Sequence, residues 1–127
     1  MKFEHFALNV PDVPAMSRWY VEHLGLRVLR SRENVPYTTF LADETGRVMM
    51  EIYTNLAAAL PDYPATHPLC FHMGFVADDP RATQRKLEQA GAKLFIEETL
   101  PDGSLLIMMR DPWGVPLQLC RRTKPFA

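Results

Sequence analysis

The strongest constraint on the fold of this 127-residue chain is that it repeats itself at an offset of 67 positions. His5 and His72 stand 67 apart, as do Glu51 and Gln118, and as do Asp12 and Asp79, two helix-opening aspartates each soon followed by a proline. Gly25 and Gly91, and Gly46 and Gly114, keep the spacing to within one residue. Turn punctuation alone recurs easily. Polar residues inside apolar runs at the same offset mark an internal duplication.

Each copy reads as strand, helix and three strands. In the first, residues 2–10 alternate as a strand, with Phe3, His5, Ala7 and Asn9 on one face. Asp12-Val13-Pro14 opens a helix in which Val13, Met16, Tyr20 and Leu24 recur at helical spacing, and Gly25 closes it. Strands follow near 26–32, 36–42 and 47–54, the last two joined by the turn Asp43 to Gly46. After a proline-rich stretch, 60–68, the order returns: strand 69–77, a helix from Asp79-Pro80 to Ala90 closed by Gly91, then strands near 92–98, 104–110 and 115–121. Asp111 to Gly114 repeats the earlier turn. The expected organisation is one domain over 1–127, with repeats at 2–55 and 69–122 and a linker at 56–68; either repeat alone would be too short to be stable.

Fourteen Lys and Arg against fifteen Asp and Glu, and 47% hydrophobic residues, exclude a disordered chain and give no basic surplus for nucleic acid or a membrane surface. The one basic cluster, Arg121, Arg122 and Lys124, reads as a solvated chain end. No apolar run approaches a membrane span and nothing reads as a leader, so a cytoplasmic location with reduced thiols is expected.

His5, Glu51, His72 and Gln118 interrupt four otherwise apolar runs, FEHFAL, VMMEIY, CFHMGF and PLQLC. Burying such groups without partners is unfavourable, most of all for the carboxylate. A divalent metal satisfies all four at once: two imidazoles, a carboxylate and an amide oxygen suit Zn, Ni, Fe, Mn or Co. The other reading is that hydrogen bonds satisfy each group and no metal is bound. Both stay open at this point.

With its two strand-helix-three-strand modules, with His5, Glu51 and His72, and with an Asp-Pro-x-Gly turn before the last strand, the chain resembles the vicinal oxygen chelate superfamily. That group includes glyoxalase I (lactoylglutathione lyase), methylmalonyl-CoA epimerase, extradiol dioxygenases, and fosfomycin- and bleomycin-resistance proteins. The resemblance spans about residues 3 to 122. It implies an α+β fold of two βαβββ modules forming a curved mixed sheet, a homodimer, a small-molecule substrate, and metal ligands at the four isolated positions. The runs EHFALNVPDVPAMSRWYVEHLGLRVLRSREN and MEIYTN look most like glyoxalase I.

Two departures matter. Position 118 is Gln where most metal-dependent members carry Glu, which leaves the first shell at +1, lowers metal affinity and removes one proton acceptor. Asn9 stands where bacterial glyoxalase I has the arginine that holds the glutamyl carboxylate of glutathione, and it offers neither charge nor fork. The expected activity is a metal-dependent lyase or isomerase with Glu51 as base and Gln118 as weak ligand or hydrogen-bond donor. A non-catalytic binding protein of the bleomycin-resistance type comes second. A non-haem Fe(II) dioxygenase comes third, because dioxygenases of the group take their carboxylate from the last strand.

Alternation puts Phe3, Ala7, Asn9, Met49, Tyr53, Asn55, Cys70 and Gly74 beside the quartet. Asn9, Tyr53, Asn55 and Cys70 are candidate substrate contacts, whereas Phe3, Ala7 and Met49 read as packing. If their strands run parallel, as the resemblance implies, Cys70 and Cys120 lie roughly 13 Å apart, too far for a disulfide. His23 and His67 read as surface residues, Trp19 as helix–sheet packing, and Trp113 as a turn tip available for a lid or dimer contact.

Overall fold

Both helices start where an aspartate can cap them. Asp12 accepts from the Ala15 amide at 3.0 Å and Asp79 from the Ala82 amide at 3.0 Å, and a proline occupies the first turn each time. In this computed structural model the described residues are 1–126; Ala127 and the side chains of Val48 and Met49 lie outside them, and with them the expectation for Met49. The chain forms two compact units, Met1–Pro61 and Asp62–Ala127.

In the first unit, β1 (Phe6–Asn9), α1 (Val13–Leu24), β2 (Arg27–Ser31), β3 (Thr39–Ala42) and β4 (Val48–Tyr53) build a four-stranded sheet ordered β1-β4-β3-β2. β1 runs parallel to β4 and the other pairs are antiparallel. α1 buries Val13, Met16, Trp19 and Tyr20 together with Val10, Leu41, Met50 and Ile52. This is an apolar helix stripe meeting alternate strand positions. The opposite face carries Ala7, which is exposed, and Phe40, Glu51 and Tyr53, which are half-buried.

The second unit repeats the scheme with β5 (Met73–Val76), α2 (Pro80–Gln89), β6 (Lys93–Thr99), β7 (Leu105–Arg110) and β8 (Pro116–Arg121), ordered β5-β8-β7-β6 with β5 and β8 parallel. Its core includes Leu87, Leu105, Ile107, Met109, Leu117 and Leu119. The α+β class and the βαβββ order are as the sequence implies. Among the described residues no helix is long and apolar enough to cross a membrane.

Three strands start three or more residues later than expected. The 2–10 strand begins only at Phe6, where pairing with Met50 starts, so His5 stands just ahead of the sheet. The 69–77 strand begins at Met73, because the Cys70 amide donates to the His67 carbonyl at 2.9 Å and the Leu69 amide to His67 Nδ1 at 3.1 Å, which folds this stretch into a turn. The 36–42 strand begins at Thr39, since Pro36 has no N–H to give a ladder and Tyr37 is left-handed at φ 58°.

Candidate functional site

The parallel pairing of β1 with β4 sets Ala7 opposite Glu51, so His5, one step before the strand, reaches the same open face. His5 Nε2 lies 3.0 Å from Glu51 Oε2 and Nδ1 2.9 Å from Glu4 Oε1, while Phe40 meets the ring edge-on at 5.6 Å. The His5 and Glu51 side chains keep 28% and 19% of their exposure. A neutral imidazole has a single N–H, yet both ring nitrogens here face carboxylate oxygens.

The second unit presents the duplicated pair on its own open face. His72, just ahead of β5, is exposed, and its Nδ1 lies 3.0 Å from the Pro68 carbonyl. A carbonyl can only accept, so Nδ1 is the donor here, and the corresponding neutral tautomer has its lone pair on Nε2, as metal-bound histidines do. Gln118, half-buried on β8, pairs with Gly74. The Cys120 thiol points to Gln118 Oε1 at 3.4 Å. Burial pushes that thiol's pKa up, with Arg122 opposing in part, so it stays a donor. The Gln118 amide nitrogen is thus left as the group able to donate outward.

His72, Gln118 and Cys120 line a cavity of about 700 Å³ walled by Phe75 and Phe126 and edged by Asp78 and Arg122. Gln118 also borders a neighbouring cavity of about 350 Å³ with His67, Phe95, Ile96, Glu98 and Met108. Both sizes suit small molecules, and the apolar walls with few polar groups fit that use. Arg121 and Arg122, expected as a solvated chain end, line the larger cavity, and the Arg122 guanidinium sits 4.8 Å over the Phe126 ring.

The candidate substrate contacts are placed differently from one another. Asn9 is buried and used internally: its amide donates to the carbonyls of Asn55 at 3.0 Å and Ala58 at 3.2 Å, and its oxygen accepts from the Asn55 amide at 2.8 Å. Asn55 is exposed and caps the Ala57 amide at 2.9 Å. Tyr53 is half-buried, opposite Asn9. Cys70, expected on a strand face beside His72, lies instead on the exposed turn described above. Glu98, His67 and the tail residue Phe126 are cavity residues that sequence reasoning did not select. The signal for Glu98 was strand alternation in β6, concealed by the irregularity between Leu94 and Ile96 that shifts the parity.

Within neither unit, among the described residues, do three His, Cys, Asp or Glu side chains gather closely enough to hold a metal ion. The pairwise donor chemistry nonetheless fits one. Imidazole and carboxylate are juxtaposed in the first unit, and a correctly tautomerised imidazole lies beside an amide in the second.

A two-module α+β chain with an open, polar-studded face on each module defines a class of small-molecule sites. The sequence model of the Glyoxalase/Bleomycin resistance protein/Dioxygenase superfamily matches residues 2–119, and the chain belongs to that superfamily. Its members usually use a divalent metal, and neighbours in structure include enzymes and binding proteins alike. The fold is similar to that of TnmS3, an antibiotic binding protein from Streptomyces sp. CB03234, at 18% identity over 97% of both chains with a TM-score of 0.73. It is similar to a glyoxylase/bleomycin resistance protein/dioxygenase domain from Frankia sp. EAN1pec, at 21% identity over 98% of this chain and 95% of that one, TM-score 0.70. It is also similar to lactoylglutathione lyase from Agrobacterium tumefaciens, at 19% identity over 94% and 92%, TM-score 0.66. No curated protein matches the chain in sequence.

Proposed function

We propose that the protein is a metal-dependent lyase or isomerase of the glyoxalase type, acting on a small oxygenated substrate. The observation that carries this is His5 Nε2 at 3.0 Å from Glu51 Oε2 while Nδ1 is held by Glu4, two carboxylates around one ring. The residues offered to a metal are His5 and Glu51 on the first unit and His72 on the second, where Gln118 is a weak further ligand or a donor to substrate. When bound, a divalent ion supplies Lewis-acid polarisation of the substrate's oxygens.

Glu51 Oε2 is the proton carrier: it takes the proton from a hydroxyl-bearing substrate carbon and returns it to the neighbouring carbonyl carbon, while the hydroxyl proton passes to the former carbonyl oxygen. Its contact with His5 fixes the carboxylate's orientation, and the Gln118 amide nitrogen donates to a substrate oxygen. Phe75 and Phe126 give the cavity that holds His72 and Gln118 its aromatic wall. Asn9, committed to the 55–58 backbone and without charge, offers no clamp for the glutamyl carboxylate of glutathione. The substrate is therefore a compound other than a glutathione conjugate.

A second reading, a non-catalytic binder of a small apolar or aromatic compound, is favoured by one feature. Gln118 Oε1 is occupied by the Cys120 thiol inside an apolar-walled cavity, where the enzyme reading wants a ligand. Elemental analysis of tag-free protein separates the two. The enzyme reading expects about one transition metal per chain, lost in both His5→Ala and His72→Ala, and roughly tenfold tighter metal binding in Gln118→Glu, where a carboxylate replaces an amide. No metal after incubation with Ni, Zn, Mn or Fe(II), and no gain in Gln118→Glu, would leave the binding reading.

A further inference from the structure

The duplicated histidines are held by different means. His5 has a carboxylate at each ring nitrogen, whereas His72 has one hydrogen-bond partner among the described residues, the Pro68 carbonyl at 3.0 Å from Nδ1. The tautomer of His72 therefore depends on where the chain puts that carbonyl. Residues 62–72 are folded on themselves to place it. The Thr66 amide donates to the Asp62 and Tyr63 carbonyls at 3.1 Å each, and its hydroxyl donates to the Asp62 carbonyl at 2.8 Å. The next turn follows at once: the Cys70 amide donates to the His67 carbonyl at 2.9 Å and the Leu69 amide to His67 Nδ1 at 3.1 Å. Pro68 is buried, and the Phe71 ring meets the buried Tyr63 ring at 5.8 Å.

Arg110, half-buried at the end of β7, fastens this segment to the sheet. Its Nη1 donates to the Tyr63 carbonyl at 2.8 Å and the Gly114 carbonyl at 3.1 Å, and its Nη2 to the Thr66 carbonyl at 2.7 Å. The guanidinium also lies 5.7 Å over the Phe95 ring, which the His67 ring meets edge-on at 5.4 Å. Among the described residues no carboxylate pairs with Arg110. A planar fork spent on three carbonyls is a directional clamp rather than a surface charge. The first unit lacks it: Ala42 stands before the turn Asp43 to Gly46, where Arg110 stands before Asp111 to Gly114.

We propose that Arg110 is a positioning residue for His72. It holds the Tyr63 and Thr66 carbonyls, so the turn that starts at Thr66 sets the Pro68 carbonyl against Nδ1 and leaves the lone pair on Nε2, at the far side of the ring. The tautomer is thus fixed by a residue that does not touch the ring. Its consequence for a bound metal rests on the function proposed above, whereas the tautomer itself does not.

The test reads the neutral imidazole tautomers from long-range ¹H–¹⁵N correlations of the metal-free, ¹⁵N-labelled full chain at pH about 8. His72 is expected as the Nδ1–H form in the wild type and as a mixture of both forms in Arg110→Gln, with far-ultraviolet circular dichroism unchanged. Arg110→Lys keeps the charge but replaces the fork by a single point donor, so it should lie between the two, and it decides the matter if Arg110→Gln does not fold. Arg81→Gln removes another guanidinium of the same unit, bound to Glu97 at 2.7 Å, and should leave His72 as in the wild type. An Nε2–H form in the wild type, a His72 kept wholly as Nδ1–H in either folded Arg110 variant, or an equal change in Arg81→Gln would overturn the proposal. Zinc titration is the second arm: affinity should fall at least about tenfold in Arg110→Gln, and equal binding by wild type and variant would overturn the positioning role. A wild type that binds no zinc would count against the proposed function alone, because the tautomers are read without metal.

Discussion

At the scale of single residues, two duplicated glycines do unequal work. Gly25 and Gly114 are both left-handed, at φ 70° and 86°. A Cβ on Gly25 would meet nothing within 4 Å, whereas one on Gly114 would sit 2.5 Å from Pro64 Cγ and 2.8 Å from the Pro64 backbone nitrogen. Gly25→Ala should therefore cost only the conformational term, about 1 kcal/mol. Gly114→Ala must also displace a proline, in a turn that Arg110 braces through the carbonyls of Tyr63, Thr66 and Gly114 at 2.7–3.1 Å. Its cost should exceed about 3 kcal/mol, since backbone cannot swing aside as a side chain can. Urea melts of the two variants check the difference, and equal losses would mean that Pro64 yields freely. The sequence marked Gly25 as a helix stop, paired with Gly91, and Gly114 as a turn glycine, paired with Gly46. It carried no sign of Pro64, because that contact joins positions fifty apart.

At the scale of elements, the helices were legible because their signals are local. Asp-Val-Pro and Asp-Pro place a cap oxygen and a φ-restricted residue where a first turn needs them, and both caps form with 3.0 Å bonds. Asp12→Ala and Asp79→Ala should each lower stability by about 1 kcal/mol, with asparagine restoring most of it, as thermal melts would show. A loss confined to one of them would break the equivalence that the 67-residue repeat implies. Strand ends were less legible, since pairing is decided by partners elsewhere in the chain. His5 and His72 read as strand residues but lie one step outside their ladders. That is what frees their rings to meet Glu4 and Glu51 in one case and the Pro68 carbonyl in the other. Glu98 escaped notice for the same reason, its face being set by an irregularity in β6 that composition does not announce.

At the scale of the whole molecule, the acid limb of stability should depend on Asp102 and Glu97. The Ser104 amide and hydroxyl, at 2.9 and 3.0 Å, hold the Asp102 carboxyl below its usual pKa, and the Arg81 guanidinium, at 2.7 Å, does the same for Glu97. A folded pKa below the unfolded one gives stability that is fully present above the unfolded value, about 4 for carboxylates, and is lost as pH falls through the folded value. Asp102→Asn should therefore be less stable at neutral pH and flatten the decline below pH about 4. Denaturation midpoints taken across that range decide it, and an unchanged slope would show that the turn holds a carboxyl and an amide equally well.

Assembly is the remaining question at this scale, and the edge strands address it. β6 lies at the end of its sheet with Leu94, Phe95 and Ile96 exposed by 45, 44 and 46%, and β2 ends the other sheet with Val28 and Leu29 at 44 and 50%. An unpaired edge bearing adjacent apolar side chains invites association, and natural proteins cover such edges or charge them. Lys93, Glu97 and Glu98 flank the apolar run of β6 but do not interrupt it. The chain is accordingly expected to pair with a second copy of itself through such an edge. Light scattering on the eluting protein should give twice the 14.5 kDa of one chain. Phe95→Asp, which puts a charge in the middle of that run, should return the mass of a single chain while far-ultraviolet circular dichroism stays unchanged. A wild-type mass of one chain at micromolar concentration would mean that the flanking charges alone keep these edges apart. A dimer untouched by Phe95→Asp would move the interface away from β6.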